Sequence, residues 1–194
     1  MTQNVMTQDA AMNGEKVYEQ ELDLTGVTDF GLSMDDIITG KEAIPLQGAR
    51  FDLAVDGRSK GRLAGRAYGA DYLRVRADGR IELDLHLTIE TDDGRRIALS
   101  GDGQAAPRNG EPILDIFGNI RLSTASEEYA WVNERQIWSV GTANLATGKI
   151  HIEARSGSEG GIVGEIDGNP TGRMSSRTER RIISRAVAAA SKLM

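Results

Sequence analysis

The sequence contains no cysteine and only two histidines, His86 and His151, among its 194 residues. Without cysteine the protein forms no disulfides and no thiolate metal sites. Two histidines are also too few for a histidine-rich zinc site. Aromatic residues make up 5% of the chain, and no apolar run approaches the ~20 residues of a membrane span. We therefore expect no metal, no cofactor and no membrane-spanning segment.

Positive charge is also scarce. The 23 lysines and arginines are outnumbered by 29 acidic residues, which gives a formal net charge of -6. Because binding to a phosphate backbone requires clustered cations, we expect no nucleic-acid partner. The first residues, MTQNVMTQDAAMNGEK, have neither a basic start nor an apolar core and do not predict a secretory signal. A cytoplasmic protein is the expectation.

The most regular pattern in the chain is a stretch of strict alternation. Between Ile81 and Ile89 every second residue is aliphatic and every residue between is polar or charged. A period of two is typical of a β-strand, whose successive side chains point to opposite faces. The surrounding stretch, 69–103, reads as three consecutive antiparallel strands with one aliphatic face and one polar face.

Glycine-containing turns predict the register between neighbouring strands. Loops of three residues at 77–79 and 92–94 keep apolar residues opposite apolar residues, with the glycine in the left-handed conformation. Near the end of the chain, a loop of two residues at 147–148 gives the consistent pairing, because it places Ala143 opposite Ile152.

The same patterns extend along most of the chain and predict a mainly β protein. Apart from the three strands within 69–103, we predict strands at 17–24, 44–55, 62–68, 113–124, 135–146 and 149–154. Residues 56–61 are predicted to be a loop, and short helices are predicted within 30–41 and 126–133. Such a pattern suits an antiparallel barrel or a sandwich. Closure removes exposed strand edges, so we expect a β-barrel of about eight strands.

Composition divides the chain into four parts. Residues 1–15 are polar and are expected to form a loose extension, and 16–155 should form the barrel. Residues 156–174 are rich in glycine and serine and are typical of a linker. Residues 175–194 have a capping box and an apolar stripe, which predict an amphipathic C-terminal helix. This cationic helix either lies on its own barrel or serves in oligomerisation or partner docking.

The polar face of the central strands carries the best candidates for acid-base chemistry. Asp84 and His86 are two residues apart on one strand and therefore share a face, with Tyr72 predicted opposite Asp84. Arg121 would stabilise an anion, because its guanidinium stays charged. These residues are also consistent with a solvated outer face. The alternation alone does not say which face points inward.

Five further residues are candidates for substrate binding. Tyr129, Trp131 and Trp138 can stack against an aromatic ligand, or they can fill the end of the barrel. Asn133 could bind substrate or cap the short helix. Arg74 lies on the polar face of the central strands and completes the predicted substrate-binding set.

Three segments resemble a bacterial family known as domain of unknown function 3237, and the similarity covers roughly residues 48–154. The segments are Gly69-Ala70-Asp71-Tyr72 with Arg76-Ala77-Asp78-Gly79, Leu83-Asp84 with Glu90-Thr91-Asp92-Asp93-Gly94, and Arg121-Leu122-Ser123-Thr124 with Tyr129-Ala130-Trp131-Val132-Asn133. The chain departs from the family pattern at Tyr72, where the family usually has tryptophan, and at His86, where it often has arginine.

This resemblance implies a small antiparallel barrel with a ligand cavity, often assembled as a homo-oligomer. A few relatives are cofactor-independent enzymes of aromatic catabolism, including lyases that release formaldehyde from lignin-derived phenylcoumaran dimers. We therefore predict a cofactor-independent lyase or isomerase acting on a small aromatic compound in the barrel, and we expect a homo-oligomer. The alternative is a barrel that binds a small hydrophobic molecule without transforming it.

Overall fold

The computed structural model describes residues 14–157, which form one closed barrel of eight antiparallel strands. The strands are β1 (Glu15–Asp29), β2 (Ala49–Gly61), β3 (Gly65–Val75), β4 (Ile81–Thr91), β5 (Arg96–Pro107), β6 (Ile113–Ser123), β7 (Ile137–Asn144) and β8 (Lys149–Ser156). Each strand pairs with its neighbours in the chain, and β1 closes the barrel against β8. The predicted mainly β barrel is confirmed.

Two short helices lie in the connections at opposite ends of the barrel. The helix α1 (Met34–Ile38) follows β1, and a 3-10 helix, Glu127–Glu134, follows β6. In an antiparallel barrel, connections after odd and even strands lie at opposite ends. Met34 packs against the core at one end, and Val132 is fully buried at the other. Both predicted helices are present: α1 is shorter than the stretch 30–41 that predicted it, whereas the 3-10 helix is as long as the stretch 126–133 and begins one residue later.

The aliphatic face of the sheet points inward. On β4, Leu83 and Leu87 are buried, whereas Asp84 and His86 are exposed. Burial of aliphatic surface stabilises the closed barrel, and charged side chains keep their hydration only on the outer wall. The structure thus decides the point that alternation left open: the polar face of the central strands is the outer wall.

The two three-residue turns are confirmed. Val75 pairs with Ile81 across the first turn, and Ile89 pairs with Ile97 across the second. In the first turn Gly79 has a φ of 82°, a left-handed conformation that glycine adopts without strain. Local turn chemistry and cross-strand apolar pairing therefore predicted the same register.

The predicted two-residue turn between β7 and β8 is wrong. Asn144 pairs with Lys149, so the loop contains the four residues 145–148. The Asn144 side chain explains the longer loop, because its Oδ1 accepts hydrogen bonds from the backbone N–H groups of Ala146 (3.0 Å) and Thr147 (3.2 Å). Asparagine commonly stabilises turns in this way.

The predicted loop at 56–61 is also wrong, because β2 continues through it to Gly61. A side chain at Gly57 would place its Cβ 2.1 Å from the backbone oxygen of Glu21, so the glycine permits close approach of β2 to β1. Residues 62–68, predicted as a separate strand, instead hold the turn and the start of β3. Polar and glycine residues that looked like a loop belong to a strand whose outer side faces solvent.

Residues 1–13 and 158–194 lie outside the described part of the chain. Most of the predicted N-terminal extension (1–15), most of the predicted linker and the predicted C-terminal helix at 175–194 fall there and stay predictions. Within residues 14–157, no helix is long and apolar enough to cross a membrane.

Candidate functional site

The interior of the barrel holds two adjoining cavities of about 210 and 70 Å³, which we call the lumen cavity. Residues that line both parts are Leu53, Asp71, Leu83, Ile116 and Ile150. The larger part lies beside α1. Even together, the two parts are smaller than the ~300–1,000 Å³ pockets of drug-sized ligands, whereas ~150 Å³ suffices for benzene. The lumen cavity therefore suits a single aromatic ring with small substituents.

One carboxylate, Asp71, faces this aliphatic interior. It is 8% exposed and lies on β3. Its Oδ1 accepts a hydrogen bond from the backbone N–H of Asp84 at 3.0 Å, and its Oδ2 has no hydrogen-bond partner within residues 14–157. Burial raises the pKa of Asp71 to about 6, and the nearby carboxylate of Asp84 also raises this pKa, while the hydrogen bond from the backbone lowers it.

The backbone around Asp71 explains this contact. Asp71 of β3 pairs with Leu85 of β4, and Arg74 pairs with Glu82. The two residues of each strand that lie between these pairs are not paired across β3 and β4. The N–H of Asp84 lies in this interval and donates to the Asp71 side chain. The carboxylate of Asp71, which lines the lumen cavity, thereby replaces part of the β-ladder, and the hydrogen bond holds one of its oxygens in place.

Three more polar residues line the smaller part of the lumen cavity with Asp71: Tyr18, Gln20 and Ser139. All three are buried. Burial raises the pKa of Tyr18, so its hydroxyl stays protonated and can donate a hydrogen bond. A cavity with aliphatic walls and a few converging polar groups is the usual form of a small-molecule site.

Asp71 belonged to the Gly-Ala-Asp segment of the family resemblance, but it was not among the predicted site residues. The phase of the alternation could have identified it. Asp71 is in phase with Leu73 and Val75, which are buried, and out of phase with the exposed charges of β3. A lone acid among apolar positions of one strand face is therefore the feature that predicts a buried carboxylate.

The structure places the four predicted catalytic residues on the outer wall rather than in the barrel. Tyr72 and His86 have ring centroids 5.5 Å apart, and His86 Nε2 lies 3.0 Å from Asp84 Oδ1. The side chains of His86 and Asp84 are 56% and 63% exposed. Arg121 lies two strands from His86, across Ser100. Their outward position follows from burial of the opposite, aliphatic face.

These residues line a broad depression of the outer wall, which we call the outer groove. It has one part of about 830 Å³ and an adjoining part of about 370 Å³. Tyr72, Arg74 and Trp138 line the larger part, His86 and Arg121 line the smaller part, and Asp84 lines both. The outer groove thus brings together six of the nine predicted site residues.

The other three predicted site residues lie in the 3-10 helix and line neither the lumen cavity nor the outer groove. The Arg62 guanidinium lies 3.7 Å from the ring centroid of Trp131. Asn133 forms two hydrogen bonds of 2.9 Å to the backbone N and O of Thr124. The Tyr129 hydroxyl donates to a carboxylate of the β4–β5 turn at 3.1 Å. Each of these contacts fastens the 3-10 helix to the end of the barrel.

Within residues 14–157, one group comes close enough to hold a metal ion: Glu19, Glu21 and His151 on the outer wall. Two of its three members already have cationic partners, because Lys16 pairs with Glu19 and Lys60 pairs with Glu21. A surface ion-pair cluster accounts for this group.

The family model described as "Protein of unknown function (DUF3237)" matches residues 32–155. The chain belongs to the DUF3237 family. The family predicted from the three motif segments is therefore confirmed. Asp71 and the polar residues of the outer groove all lie within the matched region, whereas Tyr18 and Gln20 of β1 precede it.

Several solved structures share this barrel fold. A β-barrel-like protein of Acinetobacter baumannii is 22% identical, with a TM-score of 0.58, and the alignment covers 74% of this chain and 94% of that one. A protein of unknown function from Clostridium acetobutylicum is 19% identical, with a TM-score of 0.61 and coverage of 76% and 100%. An enzyme from Penicillium herquei is 21% identical, with a TM-score of 0.50 and coverage of 74% and 93%. These likenesses show a common fold. No curated protein sequence matches the chain significantly.

Proposed function

We propose that this DUF3237 protein is a cofactor-independent lyase or isomerase that acts on a small, largely apolar aromatic compound in the lumen cavity, with Asp71 as the general base. The observation that carries the proposal is a buried carboxyl group with a pKa of about 6 and one unbonded oxygen beside a cavity of aromatic size. General bases work best when their pKa lies near the operating pH.

The proposed reaction is a proton transfer within the barrel. Asp71 Oδ2 takes a proton from a C–H or O–H group of the bound compound, and the electrons of that bond move into the conjugated system of the substrate. Tyr18 can donate a hydrogen bond to the negative charge that develops. Asp71 then returns the proton at another position in an isomerase, or to the leaving group in a lyase. Each proton removed is thus restored, and the enzyme ends unchanged.

Two further features support a catalytic role. The walls of the smaller part of the lumen cavity are mostly aliphatic, and electrostatic interactions are stronger in such surroundings of low polarity. The Penicillium herquei protein with the same fold is described as an enzyme. Neither feature names the substrate, but the cavity volume restricts it to about one ring.

The outer groove supports a second candidate, the lyase acting on phenolic dimers. Its larger part, about 830 Å³, has a volume typical of sites for larger ligands. Here a base among Tyr72, Asp84 and His86 would remove a hydroxyl proton, and Arg121 would stabilise the developing negative charge. For a phenylcoumaran, ring opening to a quinone methide and loss of formaldehyde would give a stilbene. The size of the accepted substrate therefore distinguishes the two sites.

One experiment tests both. The purified full-length protein is incubated without added cofactor or metal with single-ring phenols, aryl ketones and phenolic dimers, and products are followed by mass spectrometry and a formaldehyde assay. Asp71→Asn is compared with Asp84→Asn and His86→Gln, and Glu21→Gln on the outer wall serves as the control. Turnover in the lumen should fall at least about 100-fold in Asp71→Asn and stay normal in the other variants.

Other outcomes are equally informative. Loss of thirty mass units from a dimer with release of formaldehyde, abolished by Asp84→Asn or His86→Gln, would favour the outer groove. If every compound is recovered intact while some raise the melting temperature, the protein is a binding barrel. A folded Asp71→Asn variant with normal turnover of a single-ring substrate would refute the role of Asp71.

A further inference from the structure

The lumen cavity is lined by a second polar side chain that has an unpaired hydrogen-bonding atom. Gln20 lies on β1, is 3% exposed and lines the smaller part of the cavity with Asp71. Its Nε2 is buried and has no hydrogen-bond partner within residues 14–157. Buried polar groups in folded proteins are almost always hydrogen-bonded, because an unpaired donor loses its interaction with water and gains nothing in return.

Gln20 differs from the other unpaired polar groups of the described chain. Within residues 14–157, three fully buried side-chain atoms lack a hydrogen-bond partner, and the two besides Gln20 Nε2 are the hydroxyl oxygens of Ser59 and Ser156. Neither serine lines the lumen cavity, whereas Gln20 does. A serine hydroxyl is also a smaller group to desolvate than a carboxamide. Of these three side chains, Gln20 is therefore the one that lines the lumen cavity.

Gln20 and Asp71 approach the cavity from different strands. Gln20 lies on β1, between Ser59 of β2 and Ile152 of β8, whereas Asp71 lies on β3. Because the closed barrel curves, residues two strands apart face the same interior from different directions. A ligand between them can contact the amide with one of its atoms and the carboxylate with another, and aliphatic side chains contact the remainder.

We propose that the lumen cavity selects single-ring aromatic carbonyl compounds, and that Gln20 recognises the carbonyl oxygen by donating a hydrogen bond from Nε2. This inference rests on the proposed function and adds the substrate class. When Asp71 removes a proton from the carbon next to the carbonyl, the C–H electrons form the enolate and negative charge moves to the oxygen. The donor on Gln20 stabilises that charge. Reprotonation by Asp71 at carbon or oxygen completes the step.

The test uses two probes of nearly the same shape. Acetophenone carries a carbonyl group where α-methylstyrene carries a methylidene group. Binding of each to the full-length protein is measured by titration calorimetry and by ligand-observed NMR. The wild-type protein should bind acetophenone with a Kd about tenfold lower than that of α-methylstyrene, which corresponds to the free energy of one buried hydrogen bond. A wild-type protein that binds both probes equally would overturn the inference, because the carbonyl group would then gain nothing from Gln20.

The variant Gln20→Met keeps the side-chain length and removes the amide. Its preference for acetophenone should fall to within about twofold, mainly through weaker acetophenone binding. Its melting temperature should equal or exceed that of the wild type, because an unpaired amide leaves the core. Gln47→Met, which makes the same change at an exposed position that lines neither the lumen cavity nor the outer groove, is the matched control and should keep the preference. Retention of the preference by Gln20→Met, or a sharp fall in its melting temperature, would assign Gln20 a purely structural role.

The outcomes separate this inference from the proposed function. If neither probe binds the wild-type protein, the lumen cavity is not the ligand site and both proposals fail. If both probes bind with equal affinity while Asp71→Asn still abolishes turnover of another substrate, only the proposed role of Gln20 is refuted. Acetophenone whose methyl protons exchange in D₂O with wild type, but not with Asp71→Asn, would support both proposals.

Discussion

Replacing Asp71 by asparagine should make the barrel more stable at neutral pH. The folded protein holds a proton at Asp71 more tightly than the unfolded chain, because burial raises the pKa from 3.8 to about 6. The free energy of unfolding therefore falls as the pH rises from about 4 to about 6, and the cost is constant above that range. Asparagine is neutral at every pH, so the variant avoids this cost.

The magnitude follows from the two pKa values. A difference of about two pKa units, at about 1.4 kcal/mol each, corresponds to about 3 kcal/mol at pH 7. Little discount for solvent is needed, because Asp71 is 8% exposed. The carbonyl of asparagine can still accept the hydrogen bond from the N–H of Asp84. We expect Asp71→Asn to exceed the wild type in unfolding free energy by up to about 3 kcal/mol at pH 7, with the difference vanishing near pH 4.

Chemical denaturation of both proteins at several pH values between about 4 and 7 measures this difference. Only the difference in unfolding free energy between the two proteins is diagnostic. Arg108 lowers the pKa of the surface residue Asp115, and protonation of such carboxylates in acid destabilises both proteins equally. Asp102→Asn on the outer wall is the control and should change stability by no more than about 0.5 kcal/mol. An Asp71→Asn variant that is less stable than the wild type at pH 7, or a difference independent of pH, would refute the reasoning.

Three further substitutions test the description of the barrel. Ile116→Phe should fill the lumen cavity and abolish any melting-temperature shift by single-ring ligands, and a retained shift would place their site elsewhere. Asn133→Ala should lower the free energy of unfolding by about 1–2 kcal/mol in denaturation experiments, because two hydrogen bonds to Thr124 are lost. Turnover should stay normal if Asn133 only fastens the 3-10 helix. Gly79→Ala should lower the free energy of unfolding by about 1 kcal/mol, because residue 79 has a φ of 82°, which is strained for alanine. The added Cβ would meet no other atom, so backbone strain is the sole cause expected. An unchanged denaturation midpoint would contradict this.

Much of the fold could be predicted because its causes are local. The strict alternation on β4 fits a strand with one apolar face and one polar face. The turns before and after β4 pair apolar residues across three-residue loops. The failures occurred where a local pattern had two solutions. Around Asn144 both loop lengths gave apolar pairs, and the side-chain hydrogen bonds to Ala146 and Thr147 favoured the longer loop. Around Gly57 a polar, glycine-containing segment fitted a loop as well as a strand.

The candidate site was harder to predict, because its residues derive their properties from distant parts of the chain. The sequence by itself determined the two faces of the sheet, the register of two turns and the family. The tertiary structure decided that closure puts the aliphatic face inside, which sends Asp84 and His86 to the outer wall and surrounds Asp71 and Gln20 with apolar side chains. A carboxyl group acquires a raised pKa only when several strands exclude water from it together. Alternation is a property of one strand, whereas exclusion of water belongs to the closed barrel.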